Sequence, residues 1–199
     1  MKLFHTGNSP YARRARLAAR EAGLAVEEID LQPRDKNIER LLAQGPGGKV
    51  PVLMTDSGAS LCESLIITRY LNDVSGGKLM PADADAALVE TELESLGSVL
   101  MDSLFVRSRE RNARAPEVQS EAVVELERER ARRTYDALEA RVAAGSTDVT
   151  CGSIAVVSAL GYADWRQPGD EWRNGRPALT AYYDRYMARP HFADTAPVF

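Results

Sequence analysis

Apolar residues change their spacing near residue 75 of this 199-residue chain. Before that point they come in short bursts divided by glycine and proline. After it they recur every three or four positions over long stretches, the spacing of amphipathic helices. Lys2-Leu3-Phe4 reads as a short strand, and Gly7-Asn8-Ser9-Pro10 as a turn. Pro10 suits the first turn of a helix, where its missing N–H costs nothing. The stripe Tyr11, Ala15, Ala18 and Ala22, with Ala12 and Ala19 beside it, carries that helix to a stop at Gly23. Arg13, Arg16 and Arg20 share another face. Val26–Leu31 reads as a second strand and Pro33–Ala43 as a short helix or irregular segment. After the Gly45-Pro46-Gly47-Gly48 loop, Val50–Met54 reads as a third strand. Asp56-Ser57-Gly58 turns the chain into a short fourth strand, Ala59–Cys62, and Glu63–Val74 is helical.

Two strands joined through a helix predict a parallel pair, and two joined by a three-residue turn predict a hairpin. The first part is therefore a small mixed sheet with helices, an α/β unit of thioredoxin type. Ser75-Gly76-Gly77 through Pro81 reads as a linker. Beyond it, Val89, Leu93, Leu96, Leu100 and Leu104 mark one long helix, and Val124, Ala131, Tyr135, Leu138 and Val142 a second. Ile154, Val157, Ser158, Gly161, Tyr162 and Trp165 mark a third, and Pro177–Ala188 is a fourth. The expected division is an α/β domain over 1–77, a linker over 78–84 and an all-helical domain over 85–199.

Composition narrows the classes. Hydrophobic residues make up 44% and charged residues 27%, the balance of a globular protein with a full core. Net charge is −4, with the acid excess lying after residue 75, which excludes a strongly basic nucleic-acid binder. Cys62 and Cys151 are far apart and in no CxxC, and only His5 and His191 are available as imidazoles, so no metal site is expected. No apolar run is long enough for a signal peptide or a membrane span, and the expected location is the cytoplasm. The alternating charges over 125–133 read as a solvated helix face.

Three local features carry candidate chemistry. Ser9 stands at a strand-to-helix junction, beside the positive end of a helix and its unpaired N–H groups. It is either a helix cap or a hydroxyl that stabilises an anion. Val50-Pro51, after a glycine-rich loop, is a candidate cis bond. A cis bend there exposes the Val50 N–H and C=O to an extended peptide ligand; the alternative is an ordinary trans edge proline. Glu63-Ser64 opens a helix directly after a strand. This suits either a routine helix start or a site for an α-amino/α-carboxylate group, with Ser64 and backbone amides on the carboxylate and Glu63 on the ammonium.

The order Ser9-Pro10-Tyr11, Gly48-Lys49-Val50-Pro51-Val52-Leu53, and Glu63-Ser64 with Ile67 and Tyr70-Leu71 resembles the cytosolic glutathione S-transferase family, bacterial type with a serine-type active site. Thr150–Ala155 through Ala159–Asp164 resembles that family's buried helix with its capping box, and Asn174-Gly175-Arg176-Pro177 and Arg189-Pro190-His191-Phe192 extend the likeness. The resemblance implies a thioredoxin-like N-terminal domain that binds glutathione as co-substrate, and an all-α C-terminal domain that binds a small hydrophobic electrophile. It implies a cis Pro51, with the Val50 backbone on the cysteinyl unit, Glu63 and Ser64 on the γ-glutamyl end and Lys49 on the glycine carboxylate. Ser9 stabilises the thiolate, with Asn8 or Thr6 next in line. A homodimer, a role in detoxification and no need of a metal also follow from the resemblance.

The chain departs from the family pattern in places. The capping box ends in Ser153 instead of aspartate, which predicts an uncharged, weaker helix start. Gly45-Pro46 replaces Asn-Pro. No cysteine stands at Ser9, which argues against mixed-disulfide chemistry, and the Ser-Ser-Cys-Ser motif of the maleylacetoacetate isomerase branch is missing. Two other readings share the fold: a non-catalytic glutathione-binding or scaffolding module, and a glutathione-dependent peroxidase or isomerase. The electrophile side falls to the helix over 85–112, with Tyr11 and Phe105. Trp165 is read as core, and Arg107, Arg109, Arg111 and Arg114 as a solvated, charge-balanced face. Arg69 is paired with a partner subunit's carboxylate, at position 92 or 94.

Overall fold

A computed structural model describes residues 1–32 and 34–197. The first strand, β1 (Lys2–His5), is followed by α1 (Pro10–Glu21) and β2 (Glu27–Asp30). A 3-10 turn (Arg34–Asn37) leads into α2 (Ile38–Leu42), then β3 (Val52–Met54), β4 (Ser60–Leu61) and α3 (Ser64–Val74). Pro33, where the sequence reading starts its short helix, lies outside the described residues. The sheet order is β2-β1-β3-β4; β1 is parallel to β2 and β3–β4 is an antiparallel hairpin, as the strand spacing predicts, and β1 also pairs antiparallel with β3.

Register divides the sheet into two faces. Leu3 lies opposite Leu53, which lies opposite Leu61, and this row packs with α1 and α3 into the main core. Phe4 lies opposite Val52 and Ile29, and this row packs with Leu31, Leu41 and Ile38 into a second cluster on the α2 side. The same alternation that made Leu3 and Phe4 neighbours in sequence thus sends them to opposite layers.

The helical half begins with α4 (Ala84–Ala113), capped by Asp83, and α5 (Glu121–Arg141), capped by Ser120. Next come α6 (Cys151–Arg166), α7 (Pro177–Met187) and α8 (Pro190–Asp194). The sequence reading ended its fourth helix at Arg189-Pro190; α8 is an additional turn that starts on that proline. Every residue of α6 from Cys151 to Ala163 is buried, so this helix is the axle of the domain. It lies so close to α4 that a Cβ added at Gly97 would stand 2.8 Å from backbone atoms of Ala155 and Val156.

The start of α6 differs from the expectation of an uncharged box. Thr150 and Ser153 do form a reciprocal capping box, Ser153 N donating to Thr150 Oγ1 at 3.1 Å and Thr150 N to Ser153 Oγ at 2.9 Å. A carboxylate is nevertheless present, supplied by α4. Buried Glu90 accepts from the Thr150 hydroxyl and, at 2.8 Å, from Ser146 N. It puts negative charge where the helix dipole favours it.

Arg13, read on one face with Arg16 and Arg20, is buried, and so is its neighbour Arg14. Both are about 2% exposed. Arg14 pairs with Glu94 at 2.7 Å and donates to Ser98 at 3.0 Å. Arg13 donates to the carbonyls of Val157 (3.2 Å) and Phe192 (2.9 Å), tying α1 to α6 and α8. Burial brings its guanidinium pKa down to about 10. Gly161 makes this possible, since a Cβ there would meet Arg13 Nη1 at 2.2 Å. Arg69 also departs from its reading: it pairs with Glu94 of its own chain, so that carboxylate serves two guanidiniums.

Candidate functional site

Strand direction brings the three sequence features to one end of the sheet. The C-terminal end of β1 leads through the turn to Ser9. Because β3 is antiparallel to β1, with Phe4 opposite Val52, the entrance of β3 at Val50-Pro51 lies at that same end. Because β4 is antiparallel to β3, with Leu53 opposite Leu61, the exit of β4 into Glu63-Ser64 returns there too. Two helices start at this rim, α1 after Ser9 and α3 after Glu63, and both present N-terminal amides.

Ser9 is the N-cap of α1, half-buried, in an extended conformation. Its Oγ accepts from Ala12 N at 3.2 Å. The cap uses only a lone pair, so the hydroxyl proton remains available to donate. The structural and chemical readings of Ser9 are therefore compatible. Of the two neighbours considered, Thr6 is buried and spends its proton on Asn8 Oδ1 at 3.0 Å. That leaves Asn8, half-buried, with its amide N–H₂ as a donor. Tyr11, two residues on, gives its phenolic proton to Asp102 Oδ1 at 2.6 Å. Burial, with Asp102 next in weight, raises its pKa far above the ordinary value. Its ring meets Phe105 edge-on at 5.4 Å.

The Val50-Pro51 peptide is cis. Among the described residues no backbone group engages the Val50 N–H or C=O. Lys49 is exposed and pairs with no carboxylate among the described residues. Glu63 is the exposed N-cap of α3, its Oε1 accepting from Leu65 N at 3.4 Å and from the Ser64 hydroxyl at 3.2 Å. Ser64 is buried at the first helical position. Its second carboxylate oxygen leaves Glu63 with acceptor capacity for a cation. Trp165, read as core, is half-buried at the margin of the main core, its ring edge-on to Tyr162 at 5.7 Å. Arg111 and Arg114 are balanced by Glu121 and Glu110, as the charge reading expects; Arg107 departs from it, buried against Asp170, and Arg109 meets no carboxylate among the described residues.

Neither cysteine is part of this constellation. Cys151 is buried in α6, where burial pushes its thiol up to about 12. Cys62 is exposed beside Glu63, its Sγ 3.9 Å from Ser60 Oγ. Among the described residues no three His, Cys, Asp or Glu side chains gather as a metal site requires, and no helix is long and apolar enough to cross a membrane. Two cavities, of about 300 Å³ beside Met80, Glu90 and Thr150 and about 410 Å³ beside Val142, Ala178 and Tyr182, are lined by none of the residues at the rim. The Tyr11–Asp102 bond and the burial of Arg13 and Arg14 escaped the sequence reading. Only the helical spacing of Asp102 and Phe105 hinted at the first.

A four-stranded mixed sheet with helices, joined to a helical domain built around one buried helix, defines the glutathione S-transferase fold. Comparison with known proteins agrees. Residues 3–78 match the family model for the glutathione S-transferase N-terminal domain, and residues 121–185 that for the C-terminal domain. The uncharacterized GST-like protein YibF of Escherichia coli K12 is 33% identical over 202 residues, covering 99% of this chain and 98% of YibF. A glutathione transferase family member from Pseudomonas fluorescens Pf-5, crystallised with bound glutathione, is 33% identical with a TM-score of 0.87. That match covers 100% of this chain and 99% of the other. A glutathione S-transferase from Methylobacillus flagellatus KT with glutathione bound is 28% identical with a TM-score of 0.90, covering 99% of both chains. The chain belongs to the glutathione S-transferase family.

Proposed function

We propose that this chain is a serine-type glutathione transferase that activates the glutathione thiol and directs it at a small electrophile. The observation that carries the reading is the hydroxyl of Ser9. It accepts from Ala12 N and so keeps its proton for an anion at the positive end of α1. Val50 offers an unpaired N–H and C=O for the cysteinyl unit. Ser64, the first amides of α3 and Glu63 suit the γ-glutamyl end, and Lys49 suits the glycine carboxylate. The glutathione bound by the Pseudomonas and Methylobacillus relatives supports this use of the rim.

The magnitudes are sufficient. A free thiol titrates near 8.5, and lowering that by two units requires about 2.7 kcal/mol of preferential thiolate stabilisation. One charge-assisted hydrogen bond supplies about 1.5–3 kcal/mol, and a helix terminus about 0.3–1 kcal/mol. The thiolate then attacks the electrophilic carbon, the thiol proton having passed to solvent. Tyr11 is not the activator in this scheme, because its proton is committed to Asp102.

In the same reading, residues 1–77 form the glutathione-binding domain, 78–84 the linker and 85–199 the substrate-binding domain of a cytoplasmic detoxifying homodimer. Exposed Ile66 on α3 and Leu88 on α4 support the dimer, which sedimentation tests. Calorimetry with glutathione tests binding, and turnover of 1-chloro-2,4-dinitrobenzene tests transfer. Binding that survives Ser9→Ala while turnover falls at least tenfold is the expected result. Turnover indifferent to Ser9 overturns the assignment.

A further inference from the structure

The cations around α4 and the end of α6 divide into matched and unmatched. Arg107 holds Asp170 through two bonds of 2.7 Å. Arg109, exposed one turn from Phe105, meets no carboxylate among the described residues. Arg166 is the stranger case. It is half-buried at the last position of α6, with its guanidinium carbon 3.7 Å from the centre of the Trp165 ring. Its Nε is buried without a hydrogen-bond partner, and no carboxylate pairs with it among the described residues. The Nε atoms of buried Arg14 and Arg107 also lack a partner, so the contrast lies at the terminal nitrogens: Arg14 holds Glu94, Arg107 holds Asp170, and Arg13 holds two backbone carbonyls. A guanidinium whose terminal nitrogens meet no carboxylate keeps its fork free for a bidentate anion.

A chain of aromatic contacts relates Arg166 to the rim. Tyr162, Trp165 and Arg166 fall at i, i+3 and i+4 on α6 and so share a side of the helix. The Tyr162 and Trp165 rings touch at 5.7 Å. Tyr162 lies on α6, which packs against α1, the helix that carries Tyr11. Tyr11, two residues from Ser9, meets Phe105, and Arg109 follows Phe105 on the same face of α4. Aromatic contacts, with Tyr162 buried at their centre, thus link the proposed thiol position to two cations that meet no carboxylate among the described residues. Of the acids beside this path, Asp102 accepts from the Tyr11 hydroxyl and Asp164 is held by Trp172 and Arg173. A guanidinium held over an indole ring leaves its planar N–H fork to match a carboxylate.

We propose that Arg166, assisted by Arg109, receives a carboxylate on the electrophile, so that the preferred substrates are planar aromatic or unsaturated acids. This rests on the transferase reading above. With an aryl chloride acid the thiolate attacks the chlorine-bearing ring carbon, a C–S bond forms, the C–Cl bond breaks and chloride leaves. The thiol proton goes to solvent.

The test compares 4-chloro-3-nitrobenzoate with its methyl ester, which has the same ring and no charge. Binding of each is measured by calorimetry in the presence of S-methylglutathione, so that no reaction is needed. Turnover of each with glutathione is then measured separately. The wild type is expected to bind the acid about tenfold more tightly than the ester, the value of one charge-assisted contact. That ratio falls toward one in Arg166→Gln, falls less in Arg109→Gln and is intermediate in Arg166→Lys. Equal binding of acid and ester by the wild type overturns the proposal, as does a ratio unchanged in Arg166→Gln. If Arg166→Gln does not fold, the wild-type ratio at rising salt decides: it narrows if the carboxylate meets a cation and stays fixed if it does not. Acid preference in binding without turnover of either compound sinks the transferase reading and leaves the acid site standing.

Discussion

The hydroxyl of Tyr11 on α1 donates to the carboxylate of Asp102 on α4 at 2.6 Å, joining the two domains beside the proposed thiol position. A phenol so placed is the obvious rival to Ser9 as the donor to sulfur, and this bond removes it from contention. The pKa of glutathione bound to the protein, read from thiolate absorbance against pH, separates the two. Ser9→Ala is expected to raise it by about one to two units, the equivalent of one lost charge-assisted bond. Tyr11→Phe is expected to leave it in place. A rise in Tyr11→Phe equal to that in Ser9→Ala would mean that the bond to Asp102 opens when glutathione enters.

The two duties of Ser9 can be pulled apart by substitution. Ser9→Ala loses the cap as well as the hydroxyl and should cost about 1 kcal/mol of stability. Ser9→Asp caps as well as serine but offers no proton at neutral pH. Urea unfolding should show stability near wild type for Ser9→Asp, while turnover falls at least as far as in Ser9→Ala. Activity tracking stability across both variants would reduce Ser9 to a cap.

Glu94 accepts from Arg14 and Arg69 but is not equally dependent on them. Glu94 and Arg14 are each about 2% exposed as side chains, whereas Arg69 is 37% exposed. Glu94→Gln strands a buried guanidinium and should cost about 3–5 kcal/mol in denaturant unfolding. Arg69→Ala, screened by water, should cost less than about 1 kcal/mol.

Acid sensitivity follows from His5, about 5% exposed at the end of β1. Burial, reinforced by Arg16, holds its pKa below the ordinary 6.5. The unfolded chain therefore takes up this proton first, and stability is full above about pH 7 and falls as pH drops through 6.5 toward the lower folded value. Glu28 adds to the loss at lower pH, since its hydrogen bonds with Arg20 and Arg16 outweigh its burial and hold its pKa below 4.5. Stability measured from pH 8 to pH 5 should decline in the wild type and flatten in His5→Gln.

Gly97→Ala tests the close crossing of α4 and α6. The new methyl must push apart backbone atoms now 2.8 Å from its position, with a loss of about 1–3 kcal/mol. A thermal shift no larger than that of Gly169→Ala, where a Cβ meets nothing within 4 Å, would mean the helices separate freely.

The sequence was most legible where the physics is local. Alternation of Leu3 and Phe4, the turn at Asp56-Ser57-Gly58 and the stripe after Pro10 fix the sheet, the hairpin and α1 from neighbours alone. Val50 through Met54 was read as one strand, but only Val52–Met54 pairs, because the cis bend at Val50-Pro51 carries the chain out of the ladder. The burial of Arg13 and Arg14 was not legible, because it depends on acceptors that lie on α4, α6 and α8. Ser9, Val50-Pro51 and Glu63-Ser64 stood out as turn and cap chemistry, which is local. Their meeting at one rim is a property of strand direction and needed the register. Asp102 gave no local signal, since one acid on a charged helix looks like any other.

The carboxylate at the head of α6 comes from Glu90, sixty residues earlier in the chain. The segment Thr150–Ser153 contains no acid of its own, so its first turn gains a counter-charge only once α4 has arrived against it. Nucleation at that point is a non-local event. The central helix of the domain should gain full protection against amide exchange only as α4 docks.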